Sequence, residues 1–473
     1  MALDLSKPFS WKSAAGDMKT VLQGLQPNIL KGHTREFLTI LLLEFNTAPG
    51  GKAFLKALAP FVKSALTHLK EVDAFNAGKR KHLASPPPGT SYVGVGISAD
   101  GYAKLGIPVA KRPPDRAFRA GMKAAALNDP AVTTWDKEYQ SDIHAIVLVG
   151  DAKPGPRNAM LGKVQKLINA NPAVRVVGIQ KGQSQHNGNG DGIEHFGYVD
   201  GRSQPLFFNE DVEHEQFGCD GTSNWNPGFG PNRAIVPDPA APKPALQFGS
   251  YFILRKLEQN VHKFKSAEKG FATKLGLKGD KEQERAGAMI VGRFEDGTPV
   301  TSQFADGAHN PVQNNFNYDS NGKGGKCPFF GHIRKMNPRG SGGVEVAADE
   351  RMHIMPRRGQ TYGTRTDDLN DGKIFNKPTG DVGLLFMAFN ADLGQQFEFV
   401  QKFWANSAGF PSAPKPPGLD MVIGQGVRPP TFANIKWGEK DAPPVAVAAI
   451  PQSVTMKGGE YFFMPSLPFL ASL

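Results

Sequence analysis

Residues 37–45 read Phe-Leu-Thr-Ile-Leu-Leu-Leu-Glu-Phe (FLTILLLEF). Residues 53–69 then carry Phe54, Leu58, Phe61, Ala65 and Leu69, with Leu55, Val62 and Leu66 beside them. The first stretch is short and almost wholly apolar, which predicts a buried strand. The second predicts a helix with one wide apolar face. Outward from this pair, a strand at 143–149, a helix near 159–170 and a strand at 174–179 complete a sheet covered by helices on one side. The second half follows the same grammar. A strand at 251–254 is followed by one at 384–389. That strand leads into a helix from Asp392 with Leu393, Phe397, Val400 and Trp404 on one face, and a last strand lies at 461–464. Strands and helices mix without regular βαβ alternation, which favours α+β over a doubly wound parallel sheet.

Between these elements the sequence predicts loops. Residues 182–192 (GQSQHNGNGDG) are almost all turn formers. Residues 217–248 carry prolines at 227, 231, 237, 239, 242 and 244 and read as a linker or wrapping loop between the halves. Residues 306–326 are rich in Asn and Gly.

The 473 residues are enough for two large domains or three ordinary ones. No apolar run approaches the ~18 residues of a membrane helix. The first residues contain no apolar leader, which predicts a cytoplasmic location. Two cysteines, Cys219 and Cys327, cannot build a disulfide framework or a four-cysteine metal site. The net charge of 55 − 44 = +11 attracts anions in general. The densest basic cluster, Lys79, Arg80, Lys81 and His82, is short and has no interleaved aromatics, so it predicts a solvated loop and no nucleic-acid partner. Gly94-Val95-Gly96 opens like a dinucleotide loop, but Ala99 stands where the third glycine belongs. Phosphate-loop, HExxH and GxSxG motifs are missing.

Three segments carry chemistry: GYVDGRSQP at 197–205, CPFFGHIRKMNPR at 327–339 and HIMPRRGQTYG at 353–363. Singly, an Asp-Gly turn, a histidine among aromatics and an Arg-Arg-Gly are ordinary. Together, in this order, they resemble the dye-decolourising (DyP-type) haem peroxidase family. The likeness extends to QPNIL at 26–30, YFILRKLEQNV at 251–261, RFEDGTP at 293–299 and residues 384–404, and so covers most of the chain.

The resemblance implies two ferredoxin-like halves of antiparallel sheet with peripheral helices, in the dimeric α+β barrel-like superfamily. The N-terminal half would span 1–215 and end in the GxxDG loop; the C-terminal, haem-binding half would span 216–473. It implies haem b with His332 as the axial iron ligand. A carboxylate should stand behind that ring to set its tautomer, with Asp420 the first choice and Glu398 the second. Asp200 matches the acid–base catalyst, and Arg357 the cation that stabilises peroxide heterolysis. Leu384 and Phe386 alternate on a strand and would wall the distal pocket or belong to plain core. Arg339 would meet a haem propionate.

The implied activity is oxidation of bulky organic donors, dyes and phenolics, by H2O2 through a ferryl intermediate. The reactants are then H2O2 and organic reductants, and a homo-oligomer stays open. A non-peroxidase haem carrier on the same scaffold is the alternative, and an anion- or nucleic-acid-binding protein without cofactor, motivated by the charge of +11, the more distant one. A carboxylate base, with its ordinary pKa near 4, stays ionised where a histidine would protonate. Dye oxidation is therefore expected to peak on the acid side, and a neutral-to-alkaline optimum with several donors would count against Asp200 as the base. Bulky donors cannot reach a buried haem, so surface aromatics must relay electrons; five tryptophans and eight tyrosines are available.

Overall fold

The computed structural model describes all residues except 1–2, 34–35, 81–88, 308–310, 320–322, 369–371, 434–436, 438–443 and 448–449. Lys81 and His82 of the basic cluster and parts of the 306–326 loop therefore fall outside the described residues.

Eight strands form the body of one antiparallel sheet: β1 (Phe37–Phe45), β2 (Tyr92–Ile97), β3 (Ala145–Asp151), β4 (Val174–Gln183), β5 (Phe248–Gln259), β6 (Gln360–Tyr362), β7 (Gly383–Asn390) and β8 (Val454–Met464). Their order is β4-β1-β3-β2-β8-β5-β7-β6, and a two-residue strand, Val236–Pro237, adds to β5. The first four strands have the order 4-1-3-2. The last four, counted from β5, have the same order. The two quartets meet at a single pairing, Phe463 with Ile97. The shared grammar of the two halves is thus a shared topology. At the far ends β4 and β6 approach without a ladder. Thr361 Oγ1 donates to the Gln183 carbonyl, and Gln360 Nε2 to the Glu36 carbonyl at 3.0 Å. The barrel-like sheet does not close.

The helix expected over 53–69 is two helices, Ala48–Leu58 and Ala65–Arg80, with a 3₁₀ turn at Ala59–Phe61 between them. Pro60 lacks the N–H that would continue the first helix. The segment read against a dinucleotide loop, Gly94–Gly96, is inside β2, every residue of which is buried. A Cβ on Gly96 would sit 2.7 Å from Ile146 Cγ2, so glycine there serves close strand packing. The 182–192 loop contains a small ladder, Gln185–His186 with Gly192–Ile193. The boundary drawn at 215 falls within the helix Asn209–Gly218. The helix after β7 is wound as a π-helix over Gly394–Glu398 and Val400–Ala405, with Glu398 N bonded to the Leu393 carbonyl at 2.9 Å. Helices Val261–Lys274 and Asp280–Val291 were not anticipated.

The QPNIL segment locks this frame. Gln26 Nε2 donates to the carbonyls of Val95 and Pro465, and its Oε1 accepts from Val95 N. Arg358 donates to the carbonyls of Asn28 and Ile29. Among the described residues no helix is long and apolar enough to cross a membrane.

Candidate active site

A cavity of about 360 Å³ lies at the seam of the two halves. Its wall comes from the 184–204 segment, β5, the short helix His332–Met336, residues 353–361, β7 and the π-helix. Asp200, His332, Arg339, Arg357, Leu384 and Phe386 all line it.

His332 opens its short helix. That helix is seated where the chain passes Gly292, a left-handed residue (φ 98°) whose Cβ would fall 2.3 Å from Ile333 Cγ1. His332 Nδ1 pairs with Asp420 Oδ2 at 2.9 Å, and the side chain, 26% exposed, opens on the cavity. Asp420 is fully buried, and its Oδ1 accepts from Val422 N and Ile423 N. Burial alone would raise the Asp420 carboxyl, but the facing His332 ring and these hydrogen bonds hold it below its ordinary range. Glu398 does not stand behind His332. It accepts from Tyr461 Oη at 3.0 Å and pairs with Lys402 at 2.7 Å. Lys335, one turn on, locks the loop that carries Asp420. Its Nζ donates to the carbonyls of Ser407 (2.8 Å), Phe410 and Gly418 (2.9 Å), one acceptor for each ammonium hydrogen.

The paired backbone donors at Asp420 Oδ1 make one substitution informative. In Asp420→Asn the amide oxygen must stay on Val422 N and Ile423 N, which turns the amide NH2 toward His332. The ring then has to present a lone pair at Nδ1 and carry its proton on Nε2, the wrong tautomer for a metal ligand. Hemin affinity, measured by Soret titration of the apoprotein, is expected to fall about 10- to 100-fold. Unchanged affinity would show that Asp420 does not set the tautomer.

In the same cavity, Asp200 Oδ1 accepts from Gly201 N at 2.7 Å, in a turn that needs φ 87° at Gly201. Arg357 bridges to β7 at Ala388, and its own N–H donates to Gln204 Oε1 at 2.9 Å. Its Nη2 donates to the Arg202 carbonyl at 3.2 Å. Burial weakens the guanidinium's hold on its proton and Asp200 supports it, while the charges of Arg357 and Asp200 both reach the His332 ring. Along β7, Leu385 and Met387 are fully buried, whereas Leu384 and Phe386 are partly open and face the cavity.

Arg339 is more committed than an open cation. Nη1 donates to the carbonyls of Asn314 and Phe316, and Nη2 to Ser203 Oγ and Asn314 Oδ1. Arg293, which the sequence did not single out, meets it at the same Ser203 Oγ. Burial pulls Arg339 down to about 9 and Arg293 to about 10. Arg202 is neutralised by Glu215 at 2.5 Å, but Arg293, Arg339 and Arg357 have no carboxylate partner among the described residues. The charge of Asp200 reaches Arg357 and that of Asp220 reaches Arg293 and Arg339, but none is bonded to a carboxylate among the described residues; such guanidiniums, on the same cavity as the His332 imidazole, fit a haem with its two propionates.

Glu194 is a second unanticipated group. It lines the cavity and accepts from Phe196 N, Tyr198 N and Gln259 Nε2, so it shapes the loop leading to Asp200. Burial raises its pKa from 4.5 to about 7 against those hydrogen bonds. The folded state thus holds this proton more tightly than the unfolded chain does. The resulting stabilisation is present below pH 4.5 and is lost as pH rises to about 7. Glu194→Gln is expected to flatten the fall in Tm between pH 5 and 8; an unaltered slope would assign that fall to other groups. Nothing in the local sequence marks Glu194, and Arg293 lies in the family-like RFEDGTP stretch without a role of its own there, because the neighbours of both come from distant segments.

The structure thus presents an α+β scaffold of two like strand quartets, with an imidazole–carboxylate pair, an aspartate and an arginine at one cavity. Residues 24–184 match the DyP dimeric alpha+beta barrel domain. The chain is 55% identical over 478 residues to the multifunctional dye peroxidase DyP2 of Amycolatopsis sp. (strain ATCC 39116 / 75iv2), covering 100% of both. The solved DyP2 structure from Amycolatopsis sp. ATCC 39116 superposes with a TM-score of 0.95 over 100% of each chain. The DyP-type peroxidase of Anabaena sp. gives a TM-score of 0.88 at 33% identity, over 100% of this chain and 98% of that one. The chain belongs to the dye-decolourising peroxidase family, whose members are haem enzymes.

Proposed function

We propose that this protein is a haem b peroxidase that uses H2O2 to oxidise bulky organic donors such as dyes and phenolics. The observation that carries this reading is one cavity lined by His332, which is paired with Asp420, and by Asp200 and Arg357. Haem b, when bound, supplies the redox-active iron. His332 holds it through Nε2, and Asp420 fixes the ring by accepting from Nδ1–H. Asp200 takes a proton from hydrogen peroxide and returns it to the departing oxygen as water forms. Arg357 stays cationic and stabilises negative charge on that oxygen, so it cannot be the base. Leu384 and Phe386 exclude water from this space. Arg339 and Arg293 give the propionates a positive wall. The haem-holding half is residues 216–473, with Asp200 contributed from the half before it.

The test is a visible spectrum of the purified, hemin-loaded protein before and after one equivalent of H2O2. A Soret band that shifts, followed by turnover of an added dye, is the expected result. A Soret band that does not respond would make the protein a haem carrier, and no Soret band after reconstitution would refute the assignment.

A further inference from the structure

Two cations that the peroxide chemistry leaves without a task converge on the loop that carries Asp420. Lys335 is fully buried, three residues after His332. Its Nζ donates to the carbonyls of Ser407, Phe410 and Gly418, which uses all three hydrogens of an ammonium. Arg428, partly buried, ties the same loop beyond Asp420. Its Nη1 donates to the carbonyls of Asp420 (3.1 Å), Met421 (3.3 Å) and Ile450 (3.4 Å), and its Nη2 to that of Gly424 (2.6 Å). Neither side chain lines the cavity.

All these acceptors are backbone carbonyls, which a neutral amide could also serve. The bonds alone therefore do not account for two charges. The carboxylate whose charge reaches both cations is Asp420, and Lys335 in turn helps to hold the Asp420 carboxyl low. Burial pulls Lys335 from 10.5 down to about 7 against that support, so at pH 5 it is charged, as is the guanidinium. Asp420 accepts from His332 Nδ1–H. The more strongly it draws that proton, the more electron density the ring passes to a bound iron. A cation near Asp420 stabilises the carboxylate without the proton and leaves the proton on the ring. It also favours the reduced iron directly, because reduction removes one positive charge from the centre. Both effects have the same sign.

We propose that Lys335 and Arg428 are positioning residues that raise the reduction potential of the haem iron, by limiting how strongly Asp420 draws the His332 Nδ1 proton. This rests on the reading of His332 as the haem ligand and adds what tunes the iron it holds. The two cations act through Asp420, and Asp420 through the imidazole.

The test is a spectroelectrochemical titration of the haem-loaded protein at pH 5, with the iron–histidine stretching band of the ferrous form recorded alongside. Lys335→Met is expected to lower the equilibrium constant for reduction about tenfold, which is ~59 mV for one electron. Arg428→Gln, at a more open position, is expected to lower it about fivefold, and Arg428→Lys to stay within twofold of wild type. The stretching band should rise in frequency as the potential falls. The sign of the shift separates charge from scaffolding. If Lys335 only tied the loop, its loss would free Asp420 from the ring, remove an anion from beside the iron and raise the potential. A rise in Lys335→Met, or a value within twofold of wild type, would overturn the proposal. If that variant takes up no hemin, the same outcomes in Arg428→Gln overturn it. A potential that falls without any rise of the band would overturn the route through Asp420. Failure of the haem reading would look different: the wild-type protein itself would bind no hemin, and both readings would fall together.

Discussion

Asp200→Asn is expected to slow the reaction of the haem-loaded protein with H2O2 by about 10²- to 10⁴-fold, the range a positioned proton acceptor contributes. The substitution is nearly isosteric. Its amide oxygen can still accept from Gly201 N, the bond that shapes the turn. What disappears is the capacity to take a proton from peroxide and return it. The check is the second-order rate of the Soret change on mixing with H2O2, with hemin affinity measured alongside. A rate within about threefold of wild type, with haem retained, would remove Asp200 from the acid–base role.

Arg357→Leu is expected to reduce the same rate by about 10²- to 10³-fold, the cost of removing one preorganised charge from a developing anion. The backbone consequence is small, because Arg357 holds Gln204 through its main-chain N–H and bridges Ala388 as a strand residue. The bond lost is the one from Nη2 to the Arg202 carbonyl. Arg357→Lys separates charge from geometry. Lysine keeps the positive charge but not the planar fork, and is expected to recover only part of the loss. A haem carrier needs neither Asp200 nor Arg357, so full haem binding with both rates unchanged would favour that function.

Much of the fold was legible because its signals are local. The apolar run of β1, the apolar faces of the flanking helices and the repeated strand–helix grammar are properties of short windows. The misreadings were local too. Pro60 divides one expected helix into two, and β2 was hidden by glycines that serve strand packing rather than a phosphate. In the site, His332, Asp200 and Arg357 were legible as residue types in known segments. The choice between Asp420 and Glu398 was not, since both are carboxylates at loosely spaced positions. Asp420 stands behind His332 because Lys335 gathers the carbonyls of Ser407, Phe410 and Gly418 under the histidine's own helix.

The sequence by itself determined the α+β class, the two like halves and the residue types proposed for the peroxidase centre, because pattern and motif are written in consecutive residues. Only the tertiary structure decided which side chains share one space. The pairing of His332 with Asp420, 88 positions apart, the meeting of Arg293 with Arg339 on Ser203, and the packing of Trp437 against the Phe316–Tyr318 cluster all depend on contacts between distant segments. Contacts of that kind are set by how covered sheet faces stack and where buried charges find acceptors, and no window of adjacent residues contains that information.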